Sequence, residues 1–477
     1  MRNLTMLTDL YELTMMYGYF KKGMHKKNAV FDMFFRKPVG ESSYAVMAGL
    51  EQLIELISNL HFGPEDIEYL RSLNLFDETF LKYLADFHFT GEVYAIPEGT
   101  IVFPGEPLVR VKAEIAQAQL IETALLNIIN HQTLIATKAS RIVCAAGGGN
   151  VMEFGLRRAQ GPDAGLYGAR AAVIGGCSST SNVLATQYFG GKPAGTHAHS
   201  WIMSFESELE AFRAYAEVFP DACMLLVDTY DVLGSGMPNA ITVFKELREK
   251  GHEPLGIRID SGDLAYLSKQ ARKMMDEAGF PNAIVCASGD LDERLILDLR
   301  LQGARIDSWG VGTKLITSED YPALGGVYKL SAMEEVDGSL EPRIKLSENI
   351  WKITNPGYKK VVRIYSKLEN KALADLIMLD DEKIDESKPL TIFSPTATWK
   401  TMTLTNYYIK DLMQPIFVEG KQVYQSPSLM EIQAYAQEQL NTLWDEYKRL
   451  RKPHIYKVDL SQELYDLKEK MIEEQRG

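Results

Sequence analysis

Cysteine is scarce in this chain: four residues in 477 (Cys144, Cys177, Cys223 and Cys286), none in a Cys-x-x-Cys pair. That argues against a zinc ribbon or a disulfide framework and for a reducing compartment. Positive charge is also in deficit, with 51 Lys and Arg against 64 Asp and Glu and a formal net charge of −13. No broad basic face is offered to a phosphate backbone, so no nucleic-acid partner is expected. Small anions stay possible, because local arginines and glycine-rich turns bind phosphate whatever the overall charge. Apolar runs are short, none reaching the roughly 18 residues of a membrane span. The opening MRNLTMLTDLYELTMMYGYFKKG carries Asp9 and Glu12 where a signal peptide needs an unbroken apolar core. A cytoplasmic protein without a membrane partner is expected. Low-complexity segments and fixed-period repeats are missing too.

What is present is a globular composition, 46% hydrophobic and 24% charged, on a chain long enough for two or three parts. Residues 1–113 read as an N-terminal α/β domain. AVFDMFFRKP alternates like a half-buried strand, GLEQLIELISNL has helical spacing, and GEVYAIPEGTIVFPGEPLVRVKA gives short strands between Pro/Gly turns. Residues 114–149 read as one long connecting helix ending at Gly147–Gly149.

Over 150–350 apolar runs alternate with helical stretches: NVMEFG, AAVIGG, KPAGTHA, CMLLVDTYD, EPLGIRIDSGD, NAIVCASGD, ARIDSWGVGT and GGVYKLS. Such alternation means parallel strands with crossover helices, and about eight strands favour a closed (β/α) barrel. Glu153, Asp228, Asp260, Ser288 and Gly310 fall at or just past the carboxyl ends of these runs, the active face of a barrel. Residues 351–477 read as a C-terminal α+β extension: KKVVRIYS and LADLIMLDDE as paired strands, SPSLMEIQAYAQEQLNTLWDEYKRL as a serine-capped helix, and a terminal helix.

Several of these strand ends carry chemistry. GIRIDSGD sets Arg258, Asp260 and Asp263 around a Ser-Gly turn opening a helix. Its amides suit a phosphate or ribose, its carboxylates sugar hydroxyls or Mg²⁺, and Arg258 a carboxylate or phosphate. A helix cap with a structural Arg–Asp pair would look the same. WGVGTKLIT offers Gly310, Gly312, Thr313 and Lys314 as a phosphate grip after a late strand. EFGLRRAQGP joins Phe154, suited to stack on a flat heterocycle, to Arg157 and Arg158, suited to a polyanion. A core phenylalanine with two solvated arginines is the plainer reading.

In AGTHAHSW, His197 and His199 stand one residue apart in a chain of 8 histidines. An HxH at a strand end begins the metal site of amidohydrolase barrels, but later ligands are needed and only His252 and His454 follow. A structural pair, or one nucleophilic imidazole behind the small Gly195-Thr196 loop, remain as readings.

TDLYELTM, EFGLRRAQ, GTHAHSW, GIRIDSGD, GVGTK and GGVYKL occur in the order found in nicotinate phosphoribosyltransferases, and from about residue 5 to about 331 the chain resembles that family. The resemblance implies an irregular (β/α) barrel of the type II phosphoribosyltransferase kind, with an N-terminal α/β domain and active sites shared in a homodimer. It implies a ligase-type reaction of nicotinate with 5-phosphoribosyl 1-diphosphate to nicotinate mononucleotide and pyrophosphate in NAD biosynthesis, coupled to ATP through a phosphohistidine, with Mg²⁺ on the diphosphate. By the same resemblance His199 is the phosphorylated residue and Asp260 a second catalytic one. Tyr11 (from the partner subunit), Phe154, Thr196, Arg258 and Ser181 would meet nicotinate, and Arg157, Asp260, Gly289, Gly312 and Thr313 the phosphoribosyl donor. Relatives using nicotinamide place an acidic residue near CSSTSNV, where this chain has Ser181, which favours the acid. Nicotinamide as substrate, and a metal-dependent hydrolase barrel, are the alternatives.

Overall fold

The computed structural model describes residues 3–349 and 352–476, so the boundary expected between 350 and 351 lies outside the described residues. Two compact units result. The first comprises Met1–Leu134, Ala323–Pro427 and Ala434–Gly477; the second comprises Ile135–Pro322 and Ser428–Gln433.

In the first unit, the strand Asn28–Phe35 pairs antiparallel with Val109–Glu114 on one side and Gly326–Glu334 on the other, inside a seven-stranded sheet. The helix Leu50–Ser58 buries Leu50, Leu53, Ile54, Leu56 and Ile57, the apolar stripe its spacing predicts. A four-stranded sheet in the same unit pairs Lys359–Ser366 with Ala372–Leu379, as expected for KKVVRIYS and LADLIMLDDE. Ser428 and Glu431 form a reciprocal capping box at the start of the helix Leu429–Thr442: Glu431 accepts from the Ser428 N–H at 2.8 Å and its own N–H donates to Ser428 Oγ at 3.4 Å.

The single long helix expected over 114–149 is two, Ile115–Leu120 and Glu122–Ala146. Glu12 Oε1 takes the Thr123 N–H at 2.9 Å and the Thr123 hydroxyl at 2.7 Å, so a carboxylate distant in sequence caps the second helix.

The second unit carries a six-stranded parallel sheet. Its order is Ser179–Thr180, Asn150–Glu153, Ser308–Val311, Ile284–Ser288, Gly256–Ile259, Met224–Leu226. The first strand in sequence lies beside the last, which is the wrap-around of a (β/α) barrel. Of the expected barrel strands, one is helical and one is a strand of another sheet. AAVIGG ends the helix Pro162–Ile174, where Ala169, Ala171 and Ala172 are all buried. A short apolar run buried on every side looks the same as strand or helix. GGVYKLS forms the strand Gly326–Glu334 of the first unit's antiparallel sheet.

KPAGTHA is not a regular strand, yet it fills the gap between the two edge strands. Pro193 bridges Thr180, and Ala194 N–H donates to Thr180 O at 2.9 Å. At the other side Leu226 N–H donates to His197 Nε2 at 3.3 Å. The barrel is therefore irregular at one place, and His197 is part of what closes it. Among the described residues no helix is long and apolar enough to cross a membrane.

Candidate active site

Most of the parallel strands are apolar along their length, and polar residues gather towards their carboxyl ends. Arg258, on Gly256–Ile259, is held by three neighbours: Nε donates to Ser288 Oγ at 2.8 Å, one Nη to Thr196 Oγ1 at 2.9 Å, the other to Asp260 Oδ1 at 2.9 Å. Ser288 also donates to Asp260 Oδ1. Burial raises the Asp260 carboxyl, but the hydrogen bonds from Ser288 and Arg258 outweigh it and hold the group below its ordinary value, ionised at neutral pH. The guanidinium lies 5.7 Å from the centre of the Phe154 ring. That ring rests on Gly310, where a Cβ would fall 2.6 Å from two ring carbons.

Asp228 ties this cluster to His199. Its Oδ2 accepts from Asp260 N–H at 3.0 Å and Ser261 Oγ at 2.7 Å, while its Oδ1 faces His199 Nε2 at 3.3 Å. The Asp228 side chain is 1% exposed and the His199 side chain 39%. A buried carboxylate thus aims an accessible imidazole. The sequence put Asp228 among the strand-end polar residues but gave it no role; its position just past CMLLV was the available signal.

His197 has a different environment. It is buried beside Tyr215, and its Nε2 is used by the backbone of Leu226. Burial pushes it down to about 4, so at neutral pH it is uncharged with its proton on Nδ1. The two histidines do not form the start of a metal centre. Among the described residues no group of three or more His, Cys, Asp or Glu side chains could hold a metal ion.

Gly289 has φ +97°, and a Cβ there would lie 2.2 Å from Asp260 O, so only glycine fits this turn. Gly312 precedes the short helix Thr313–Ile316, and a Cβ on it would sit 3.4 Å from Phe154 O. Lys314 is held by Asp292 at 3.2 Å, itself the cap of the helix Glu293–Leu301. Arg157 and Arg158 are exposed on the turn Leu156–Arg158 after the first strand. Ser181 follows the neighbouring strand, with its N–H on Glu153 O at 2.9 Å. Glu153, which ends the first strand, is fully buried and accepts from Thr180 Oγ1 at 2.5 Å; burial raises its carboxyl. It anchors the edge strand rather than facing solvent.

Of the residues expected to form the site, Thr196, Arg258 and Asp260 are hydrogen-bonded together with Ser288, while Phe154, Gly289 and Gly312 lie beside them. His199 joins them through Asp228, and Arg157, Ser181 and Thr313 occupy ends of the same strands. Tyr11 belongs to the first unit, on the exposed side of the helix Leu10–Lys21. Burial, then Glu122 and Glu12, push its phenol up to about 12, so it stays protonated.

Comparison with known proteins points to one family. The sequence matches the nicotinate phosphoribosyltransferase (NAPRTase) N-terminal domain over residues 6–130, the NAPRTase family over 150–383 and the nicotinate phosphoribosyltransferase C-terminal domain over 358–468. It is 51% identical over 472 residues to the nicotinate phosphoribosyltransferase of Bacillus subtilis (strain 168), covering 99% of this chain and 96% of that one. It is 33% identical over 520 residues to the nicotinate phosphoribosyltransferase of Homo sapiens, covering 97% and 95%. The crystal structure of human nicotinic acid phosphoribosyltransferase matches the fold with a TM-score of 0.86 at 31% identity, covering 97% of this chain and 99% of that one. Sequence, fold and strand-end residues lead to one conclusion: the chain belongs to the nicotinate phosphoribosyltransferase family.

Proposed function

We propose that this protein joins nicotinate to 5-phosphoribosyl 1-diphosphate, releasing nicotinate mononucleotide and pyrophosphate, as a cytoplasmic step of NAD biosynthesis driven by ATP. The observation that supports this best is the unbroken run from His199 through Asp228 and the Asp260–Ser261 turn to Arg258. One end suits a phosphorylatable imidazole and the other a carboxylate-binding guanidinium.

In this reading Arg258 and Thr196 take the nicotinate carboxylate, and Phe154 stacks on the pyridine ring. Tyr11 of a partner subunit covers the opposite ring face in a homodimer. The ring nitrogen attacks C1 of the ribose as pyrophosphate leaves. The positive charge that develops at C1 is met by ionised Asp260, and the departing charge by Arg157 and the amides of the Gly312–Thr313 turn. Mg²⁺ would neutralise the diphosphate. Asp260 is the carboxylate at hand for it, and most ligands would come from the substrate's own oxygens.

Asp228 accepting from His199 Nε2–H leaves Nδ1 as the nucleophile. It takes the terminal phosphoryl group of ATP, ADP departs, and water later cleaves the N–P bond to phosphate. The phosphorylated charge beside the Asp260–Ser261 turn favours one arrangement of that turn, which is how hydrolysis gains a hold on substrate binding.

The test measures mononucleotide formation with nicotinate or nicotinamide, each with and without ATP. Product from nicotinate, raised by ATP, is the expected result, and product from nicotinamide alone would overturn the substrate. A His199→Ala variant should lose the stimulation by ATP; an unchanged response would remove His199 from the coupling.

A further inference from the structure

In the first unit a cavity of about 270 Å³ opens among the strands Asn28–Phe35, Lys359–Ser366 and Val458–Leu460 and the helix Gln462–Arg476. It shares no residue with the barrel mouth. Its wall is largely apolar, with Phe34, Ile377, Leu460 and Ile472 facing in. Three cationic side chains line it, Arg36, Lys359 and Lys468, against two acids, Asp32 and Glu469.

These charges do not cancel inside the cavity. Asp32 meets Lys359 through Oδ2 at 2.7 Å, Lys359 being 2% exposed, and its buried Oδ1 has no hydrogen-bond partner. Lys468 donates to a neutral partner, Asn355 Oδ1, at 2.9 Å. Arg36 Nε is buried with no hydrogen-bond partner. Glu469 is exposed. Burial lowers Lys468; Glu469 beside it raises it in part, and the charge of Lys359 lowers it by less. Drawing cationic groups partly out of water without a counter-ion is unfavourable, and an anion would complete such an arrangement.

We infer that this cavity binds a small organic phosphate, its doubly charged head between Arg36 and Lys468 and its apolar body against Phe34, Ile377 and Leu460. Two unmatched cations call for two negative charges, which a phosphate monoester carries and a carboxylate does not. The volume is that of about nine waters, enough for a phosphorylated ring of one or two cycles. The turn at Pro395–Thr396, on the hairpin Leu390–Leu404, forms part of the rim.

Calorimetric titration of the full chain with phenyl phosphate, inorganic phosphate and benzoate tests this. Phenyl phosphate should bind at one site that survives Arg258→Gln and weakens about tenfold or more in Arg36→Gln and in Lys468→Met. Absence of binding, or binding lost in Arg258→Gln and kept in Lys468→Met, would overturn the site. Equal affinity for inorganic phosphate would overturn the role of the apolar wall, and equal affinity for benzoate that of the doubly charged head. Should a variant fail to fold, acylation of Lys468 in the parent protein gives the answer. Phenyl phosphate should slow it, and an unchanged rate would count against the cavity.

Discussion

Arg363 and Arg258 both pair with an aspartate, one in each unit, and their surroundings differ in every other respect. Arg363 and Asp375 face each other across neighbouring strands, both 0% exposed, with two contacts at 2.8 and 2.6 Å. The remaining donors end on Ile101 O at 2.7 Å and Gln439, and Tyr456 donates to Asp375 at 3.0 Å. Buried Glu106 also touches the pair electrostatically, and neither partner is open to solvent. Arg258 and Asp260 are 16% and 31% exposed, and Arg258 spends two of its three contacts on hydroxyls that a substrate carboxylate can replace. The same ion pair is a structural fastener where its bonds are made within the protein and water is excluded. It is a binding device where its partners are exchangeable and the cleft is open.

The largest expected effect breaks the sealed pair. Arg363→Met should cost about 3–5 kcal/mol in urea unfolding, because Asp375 is left charged and buried; adding Asp375→Leu should recover most of it. If the single change proved harmless, the fastener role would be gone.

Next comes His197, which contributes to the barrel only while neutral. Its ordinary value is near 6.5 and its folded value about 4, so between these the unfolded chain holds more protons. Stability is therefore full above pH 6.5 and falls as pH drops toward 4, by about 3 kcal/mol at most. Denaturant unfolding of the parent and of His197→Gln from pH 7 to pH 4 reads this, and the variant should show a flatter dependence.

A smaller effect is expected at the open pair, and on activity. Arg258→Gln should lower kcat/KM for nicotinate about 10–100-fold while the urea midpoint moves little. A stability loss matching that of Arg363→Met would make the two arginines alike and end the contrast. Smallest is Asp228→Asn, which keeps an acceptor for the Asp260–Ser261 turn but removes the charge facing His199. The ATP-stimulated rate should fall about tenfold, equivalent to about 1.4 kcal/mol.

Much of the site was readable because parallel strands run apolar until they leave the barrel. Asp228 and Ser288 stand out as the first polar residues after buried runs, and Asp260 follows Arg258 at the end of another; this needs no knowledge of pairing. Gly289 was one glycine among 36 in the sequence; its necessity comes from Asp260 O, 29 residues earlier, lying where a side chain would be. AAVIGG and GGVYKLS were misplaced for a related reason. Local pattern reports burial, not which neighbour does the burying.

The sequence by itself determined the α/β alternation, the surplus of negative charge, the family-bearing motifs and the polar ends of the strands, since each depends on composition and short-range periodicity. Only the tertiary structure decided which histidine is which. His197 and His199 stand one residue apart, yet one completes the barrel wall against Leu226 and the other is aimed by Asp228. Their partners lie 29 positions away in both cases, and local sequence carries no record of a contact made by closing a barrel.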